Sequence, residues 1–74
     1  MNNIRVERAR FNMSRKELAE KVGVSEFSIK NWEDDLNSCK VANLLSISKV
    51  FNVTPDYLIG LTETRGAFNE DAIS

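Results

Sequence analysis

The charged groups in this sequence, ten Lys and Arg against eleven Asp and Glu, are unevenly placed. Residues 1–50 carry nine Lys and Arg against seven Asp and Glu, a net charge of +2. Residues 51–74 carry Arg65 against Asp56, Glu63, Glu70 and Asp71, a net of −3. The chain total of −1 therefore conceals a basic leading part. Phosphate affinity follows local positive charge, so this part suits a modest, salt-dependent hold on a polyanion. Other chemistries lack their residues. With no histidine and one cysteine, Cys39, neither a usual metal-ligand set nor an internal disulfide is available. Those absences argue against an enzyme, as do the lack of a glycine-rich phosphate loop and the small volume of 74 residues. No cofactor is expected. Nothing near Cys39 activates its thiol, which reads as a loop residue without a role.

The elements that must position these groups all read as helices. Ile4, Val6, Ala9 and Phe11 mark a first helix over 4–11, with Asn3 as its cap and Asn12 as its stop. Ser14-Arg-Lys-Glu17 is a capping box, in which hydroxyl and carboxylate each satisfy the other residue's backbone N–H. Leu18, Ala19 and Val22 carry a second helix over 15–22, and Gly23 is suited to the left-handed conformation that ends it. Ser25 caps a third helix over about 26–33, carrying Phe27 or Ser28, Ile29 and Trp32. Residues 34–40 read as a loop. Val41, Leu44, Leu45, Ser48 and Phe51 form the stripe of a fourth helix closed by Asn52. Thr54-Pro55-Asp56 starts a short fifth, with Tyr57, Leu58 and Leu61 as its apolar face and Gly60 at its end. No strand signal or repeat is present. The expected organisation is one domain over 1–61 and a polar, acidic tail over 62–74. No apolar run approaches the ~18 residues of a membrane span, and Arg5, Arg8 and Arg10 near the start leave no secretory signal visible, so a cytoplasmic protein is expected.

The spacing from Arg15 to Glu33 is the most constrained feature. Two helices crossing steeply through a short turn need a small side chain at the crossing, here Ala19. They need a residue tolerant of positive φ in the turn, here Gly23, and a buried branched residue that pins the second helix on the first, here Ile29. Leu18, Val22, Val24 and Trp32 complete that core. On these residues the chain resembles the lambda-repressor and Cro-like (XRE-type) helix-turn-helix family. The matching stretches are Met13-Ser-Arg-Lys-Glu-Leu-Ala-Glu-Lys-Val-Gly-Val-Ser25, Ile29-Lys-Asn-Trp-Glu33, Leu44-Leu45 through Phe51-Asn-Val-Thr54, and Asp56-Tyr-Leu-Ile-Gly60. The resemblance spans residues 4–61 without a gap. It implies an all-α, five-helix domain that binds operator DNA as a dimer and regulates transcription. Many members are repressors of phages or mobile elements.

The resemblance also implies residue roles. The second helix of the motif lies in the major groove, and its N-terminal half reaches base edges. The corresponding residues are Glu26, Phe27 and Asn31, with Lys30 beside them. Asn31 suits a bidentate pair with adenine, Glu26 accepts from cytosine N4, and Phe27 packs on a thymine methyl. Plainer roles compete: Glu26 as a first-turn carboxylate favoured by the helix dipole, Phe27 as a core or dimer contact, Lys30 and Asn31 as solvated surface. Arg15 stands where members of the family contact phosphate, and Lys16, Arg10 and Lys40 are weaker candidates. Tyr57, Leu58, Leu61 and Phe68 are candidates for a dimer face, the alternative being that Leu58 and Leu61 only close the core. Asp34-Asp35 replaces a frequent Asn-Gly, Cys39 and Lys40 replace a common proline and capping serine, and Glu7 stands where an apolar residue is usual. The expected partner is a near-palindromic double-stranded operator. The alternative is a protein-interaction module on the same fold, antitoxin-like or adaptor, with weak or no DNA binding, which the acidic loop, the acidic tail and Glu26 would suit.

Overall fold

Local caps divide the chain into helices. The computed structural model describes residues 2–69, so Glu70 and Asp71 of the expected acidic tail lie outside the described residues. In order come α1 (Ile4–Arg10), α2 (Arg15–Val22), α3 (Glu26–Asp34), a 3₁₀ turn (Leu36–Ser38), α4 (Val41–Phe51) and α5 (Pro55–Leu58). Among the described residues there is no strand, no helix long and apolar enough to cross a membrane, and no acidic, Cys or His group able to hold a metal.

The Ser14 capping box forms as read. Ser14 Oγ accepts from the Glu17 N–H at 3.0 Å, and Glu17 Oε1 accepts from the Ser14 N–H at 3.2 Å. Such a cap contributes about 1 kcal/mol. Gly23 ends α2 at φ +84°, where the Gly23 and Val24 N–H groups donate to the Ala19 carbonyl. A Cβ at Gly23 would meet nothing within 4 Å, so this glycine is required by the backbone angle alone. Ser25 Oγ caps α3 through the Ser28 N–H at 3.1 Å. Thr54 Oγ1 caps α5 through the Tyr57 N–H at 3.2 Å. Asn52 takes the left-handed conformation at φ +53° and closes α4.

Several expectations need correction. Asn3 does not cap α1. Asn2 Oδ1 accepts from the Ile4 N–H, while Asn3 Nδ2 donates to the Tyr57 carbonyl at 2.6 Å, because a tertiary partner outcompetes the local one. The loop after α3 contains the 3₁₀ turn, capped by Asp35 Oδ1 on the Asn37 N–H at 2.9 Å. The buried stripe of α4 centres on Ile47, Ser48 and Phe51, with Leu44 and Leu45 half-buried. Val41, in the first turn, is 69% exposed because no element covers it. Leu61 lies past the end of α5 and is 74% exposed, so Tyr57 and Leu58 alone supply that helix's buried face.

The core joins every helix: Ile4 from α1, Leu18 and Ala19 from α2, Ile29 and Trp32 from α3, Ile47 and Phe51 from α4, and Tyr57 and Leu58 from α5. Val53 fills the turn between α4 and α5. Ala19 is buried between α2 and its neighbours, as a close crossing requires. The Ser48 hydroxyl, enclosed beside this core, donates to the Leu44 carbonyl at 3.0 Å, which offsets its desolvation. Phe11 stacks on Phe51 with ring centroids 5.8 Å apart, shielding the core edge between α1 and α4.

Candidate nucleic-acid interface

The helix α3 turns Ile29 and Trp32 inward and a polar face that includes Phe27 outward. Ile29, Trp32 and Glu33 are buried, while Glu26, Phe27, Lys30, Asn31 and Asp34 are exposed. At 3.6 residues per turn those exposed positions form one stripe. All four of the residues expected to reach base edges therefore share one surface. Phe27 is 70% exposed, so it is no part of this domain's own core. Among the described residues, the side chains of Glu26, Lys30 and Asn31 make no hydrogen bond or ion pair within the chain. Their donors and acceptors are open to an external partner.

The helix is held by a carboxylate at its inner face. Glu33 follows Ile29 by one helical turn, and its side chain is almost fully buried. Arg8 Nε of α1 donates to Glu33 Oε2 at 2.5 Å, and Arg15 Nε of α2 donates to Oε1 at 2.9 Å. Arg5 Nε lies 3.6 Å from Oε1, and Arg5 Nη2 lies 3.7 Å from Asp34 Oδ1. Burial by itself pushes the Glu33 carboxyl up, but the hydrogen bonds from Arg8 and Arg15 outweigh it and hold the group below its ordinary value. Arg8 also donates to the Met13 carbonyl at 3.1 Å, fixing the chain between α1 and α2. Asn2 Nδ2 donates to the Trp32 carbonyl at 2.8 Å at the end of α3. Three separate segments thus fix the pose of α3.

The basic candidates divide into two kinds. Lys16 and Lys40 are exposed. Arg15 is half-buried, and the Nε atom is the one given to Glu33. Arg10 gives its Nε to Glu7 Oε2 at 3.1 Å. The acidic loop divides similarly: Asp34 faces Arg5, and Asp35 is occupied by capping. Burial raises the Cys39 thiol above its ordinary value, which keeps it protonated and unreactive at neutral pH.

Sequence reasoning missed the roles of Arg8 and Glu33. The signal was available: a glutamate one turn beyond Ile29 falls on the inward face and must find cations. It also missed a second buried carboxylate. Glu7 is fully buried and meets Tyr57 Oη at 2.8 Å and Arg65 Nη2 at 2.6 Å. Its departure from an apolar position was visible in the sequence, but its partner was not.

With this geometry, the chain belongs to the lambda-repressor/Cro-like (XRE-type) helix-turn-helix DNA-binding family. A helix-turn-helix family profile matches residues 4–58. Among individual proteins, the chain is similar to the HTH-type transcriptional regulator ImmR of Bacillus subtilis (strain 168), at 34% identity over 56 residues, covering 76% of this chain and 44% of that protein. It is also similar to repressor protein C2 of Salmonella phage P22, at 34% identity over 68 residues, covering 89% of this chain and 32% of that protein. The chain therefore spans less than half the length of these relatives. No solved structure matches at comparable stringency.

Proposed function

We propose that this domain is a sequence-specific, double-stranded DNA-binding transcriptional regulator of the repressor type. The observation that carries the reading is the exposed stripe of α3, where the Glu26, Lys30 and Asn31 side chains have no partner within the described chain although the helix beneath them is firmly anchored. A rigid helix presenting open donors and acceptors suits the major groove. Asn31 takes an adenine, Glu26 a cytosine, Phe27 a thymine methyl, and Lys30 adds an acceptor-seeking cation at the same stripe. Arg15, Lys16, Arg10 and Lys40 bind phosphates, with Arg15 keeping its hold on Glu33 through Nε while its outer nitrogens reach the backbone. The working form is a homodimer on a near-palindromic operator, its two α3 helices about 34 Å apart, with Leu61 exposed for the contact between copies. It acts in the cytoplasm of a bacterium, encoded there or by a phage.

The test is selection of bound duplexes from a random pool, followed by salt titration of the winner. The expected product is two half-sites about one helical turn apart. Four phosphate contacts per protomer give a log–log salt slope of roughly −4 per protomer. Equal affinity for every duplex would sink the specific-regulator reading. Failure to retain any DNA at low salt would favour the protein-interaction module instead.

A further inference from the structure

Residues 62–69 form no helix, yet contacts at Arg65 and Phe68 fasten them to the domain. The Arg65 carbonyl accepts from the Thr54 N–H at 2.9 Å. The Phe68 N–H donates to Asn52 Oδ1 at 3.1 Å. Between them the Arg65 side chain crosses to α1 and meets both oxygens of Glu7, Nη2 to Oε1 at 2.6 Å and Nε to Oε2 at 3.2 Å. A planar guanidinium gripping both carboxylate oxygens is the strongest and most directional form of this pair. The charged and titratable groups facing Glu7 are Arg65, Tyr57 of α5 and Arg10 of its own helix. Without Arg65, a fully buried carboxylate would keep a single cation, itself half-exposed.

The backbone is fitted to the same purpose. Gly66 has φ +61°, and a Cβ there would stand 2.6 Å from Thr54 Cγ2. Thr54 cannot turn that methyl aside freely, because its Oγ1 is committed to capping α5. Glycine at 66 is what lets the stretch lie against Thr54.

The helix that this stretch grips is tied to its neighbours mainly through side chains, with Ile4 in the core and Phe11 at its end against Phe51. Close backbone approach links α2 with α3 and α4, and α4 with α5, but α1 takes part in none of these. On the α5 side, α1 and its lead-in are tied by Arg65, by Tyr57 Oη, and by Asn3, which donates through its N–H to the Leu58 carbonyl at 2.8 Å and through Nδ2 to the Tyr57 carbonyl. On the other side Arg8 reaches Glu33 and so the base of α3.

We infer that residues 62–69 are a clasp on α1: closed, Arg65 on Glu7 locks α1 against α5; open, α1 is released as a unit while α2, α3 and α4 keep their mutual packing. Release also removes Arg8 from Glu33, so the clasp governs how firmly α3 is seated. The device stands whatever α3 binds.

Amide hydrogen exchange on the full 74-residue chain tests it, comparing the wild type with Arg65→Ala and Gly66→Ala. In the wild type the Thr54 and Phe68 amides are expected to be protected. In both variants that protection is expected to be lost, and the Asn3, Glu7 and Phe11 amides to exchange at least about tenfold faster, while Gly23 and Val24 stay protected. Gly66→Ala removes no charge, so it serves if Arg65→Ala does not fold. Adding Glu7→Leu to Arg65→Ala is expected to restore protection of α1, because no buried charge is then left unpaired. Unprotected Thr54 and Phe68 amides in the wild type would overturn the clasp. So would variants in which the α1 amides do not change, or in which all amides accelerate alike.

Discussion

Glu33 and Glu7 are both buried carboxylates met by arginine, yet their partners come from different places. Glu33 is served by Arg8 and Arg15, which lie on the two helices preceding α3 and inside the stretch that the family profile covers. Glu7 is served by Arg10 of its own helix and by Arg65, 58 residues away and beyond that stretch. The first cluster seats α3. The second fastens the opposite side of α1 to the segment that follows α5. A buried ion pair contributes little net stability over an apolar pair, but breaking one by removing a single partner is costly. The two clusters therefore act mainly by fixing geometry, one within the motif and one around it.

The largest effect that would separate them is on stability. Glu33→Ala leaves Arg8, whose side chain is only 15% exposed, without its acceptor, and should cost about 3 kcal/mol in denaturant unfolding. Glu7→Leu should cost much less, since an apolar side chain suits the site and Arg65 can swing into water. Equal losses would collapse the distinction.

Acid should act on both clusters together. Burial pushes the Glu7 carboxyl up, but hydrogen bonds from Arg65, Tyr57 and Arg10 prevail and place it below its ordinary 4.5, as they do at Glu33 with Arg8 and Arg15. A folded-state pKa below the unfolded one gives stability that is present above pH 4.5 and lost as pH falls through the lowered values. Unfolding free energy measured downward from pH 7 should fall in that window, and Glu7→Leu should make the fall shallower. An unchanged acid limb would remove Glu7 from the account.

Outside both clusters the effects should pass from folding to recognition. Asn31→Ala should reduce discrimination at one base pair by about 1–3 kcal/mol while changing stability by no more than about 0.5 kcal/mol. Smallest of all, Arg5→Ala should leave the melting temperature almost unmoved, because Arg5 is exposed and its pairs with Glu33 and Asp34 are long.

What was legible in the sequence was whatever depends on near neighbours. Ser14 with Glu17, Ser25, Gly23, Asn52 and Thr54-Pro55 each act across four residues or fewer, and each does in the structure what its type implies. The crossing of α2 and α3 was legible because Ala19, Gly23 and Ile29 constrain one another. Periodicity failed at helix ends, where Val41 and Leu61 keep the pattern but have nothing to pack against. Ile47 was hidden because the stripe 41, 44, 45, 48 fits the spacing as well as 44, 47, 48, 51 does. Of the candidate interface, the outward placement of Glu26, Phe27, Lys30 and Asn31 follows from the inward placement of Ile29 and Trp32. The engagement of Arg15 and Arg10 by carboxylates depends on tertiary proximity, which no local rule encodes.

The outer stripe of α3 has a consequence for how such a domain changes over generations. Its side chains at 26, 27, 30 and 31 contribute almost nothing to holding the chain together, because the helix is seated through Ile29, Trp32, Glu33 and the backbone at its end. Positions 26, 27, 30 and 31 are thus free to vary with little risk to folding. On the proposed reading of this stripe, new target preferences are accessible one substitution at a time, on a scaffold that need not be reinvented for each of them.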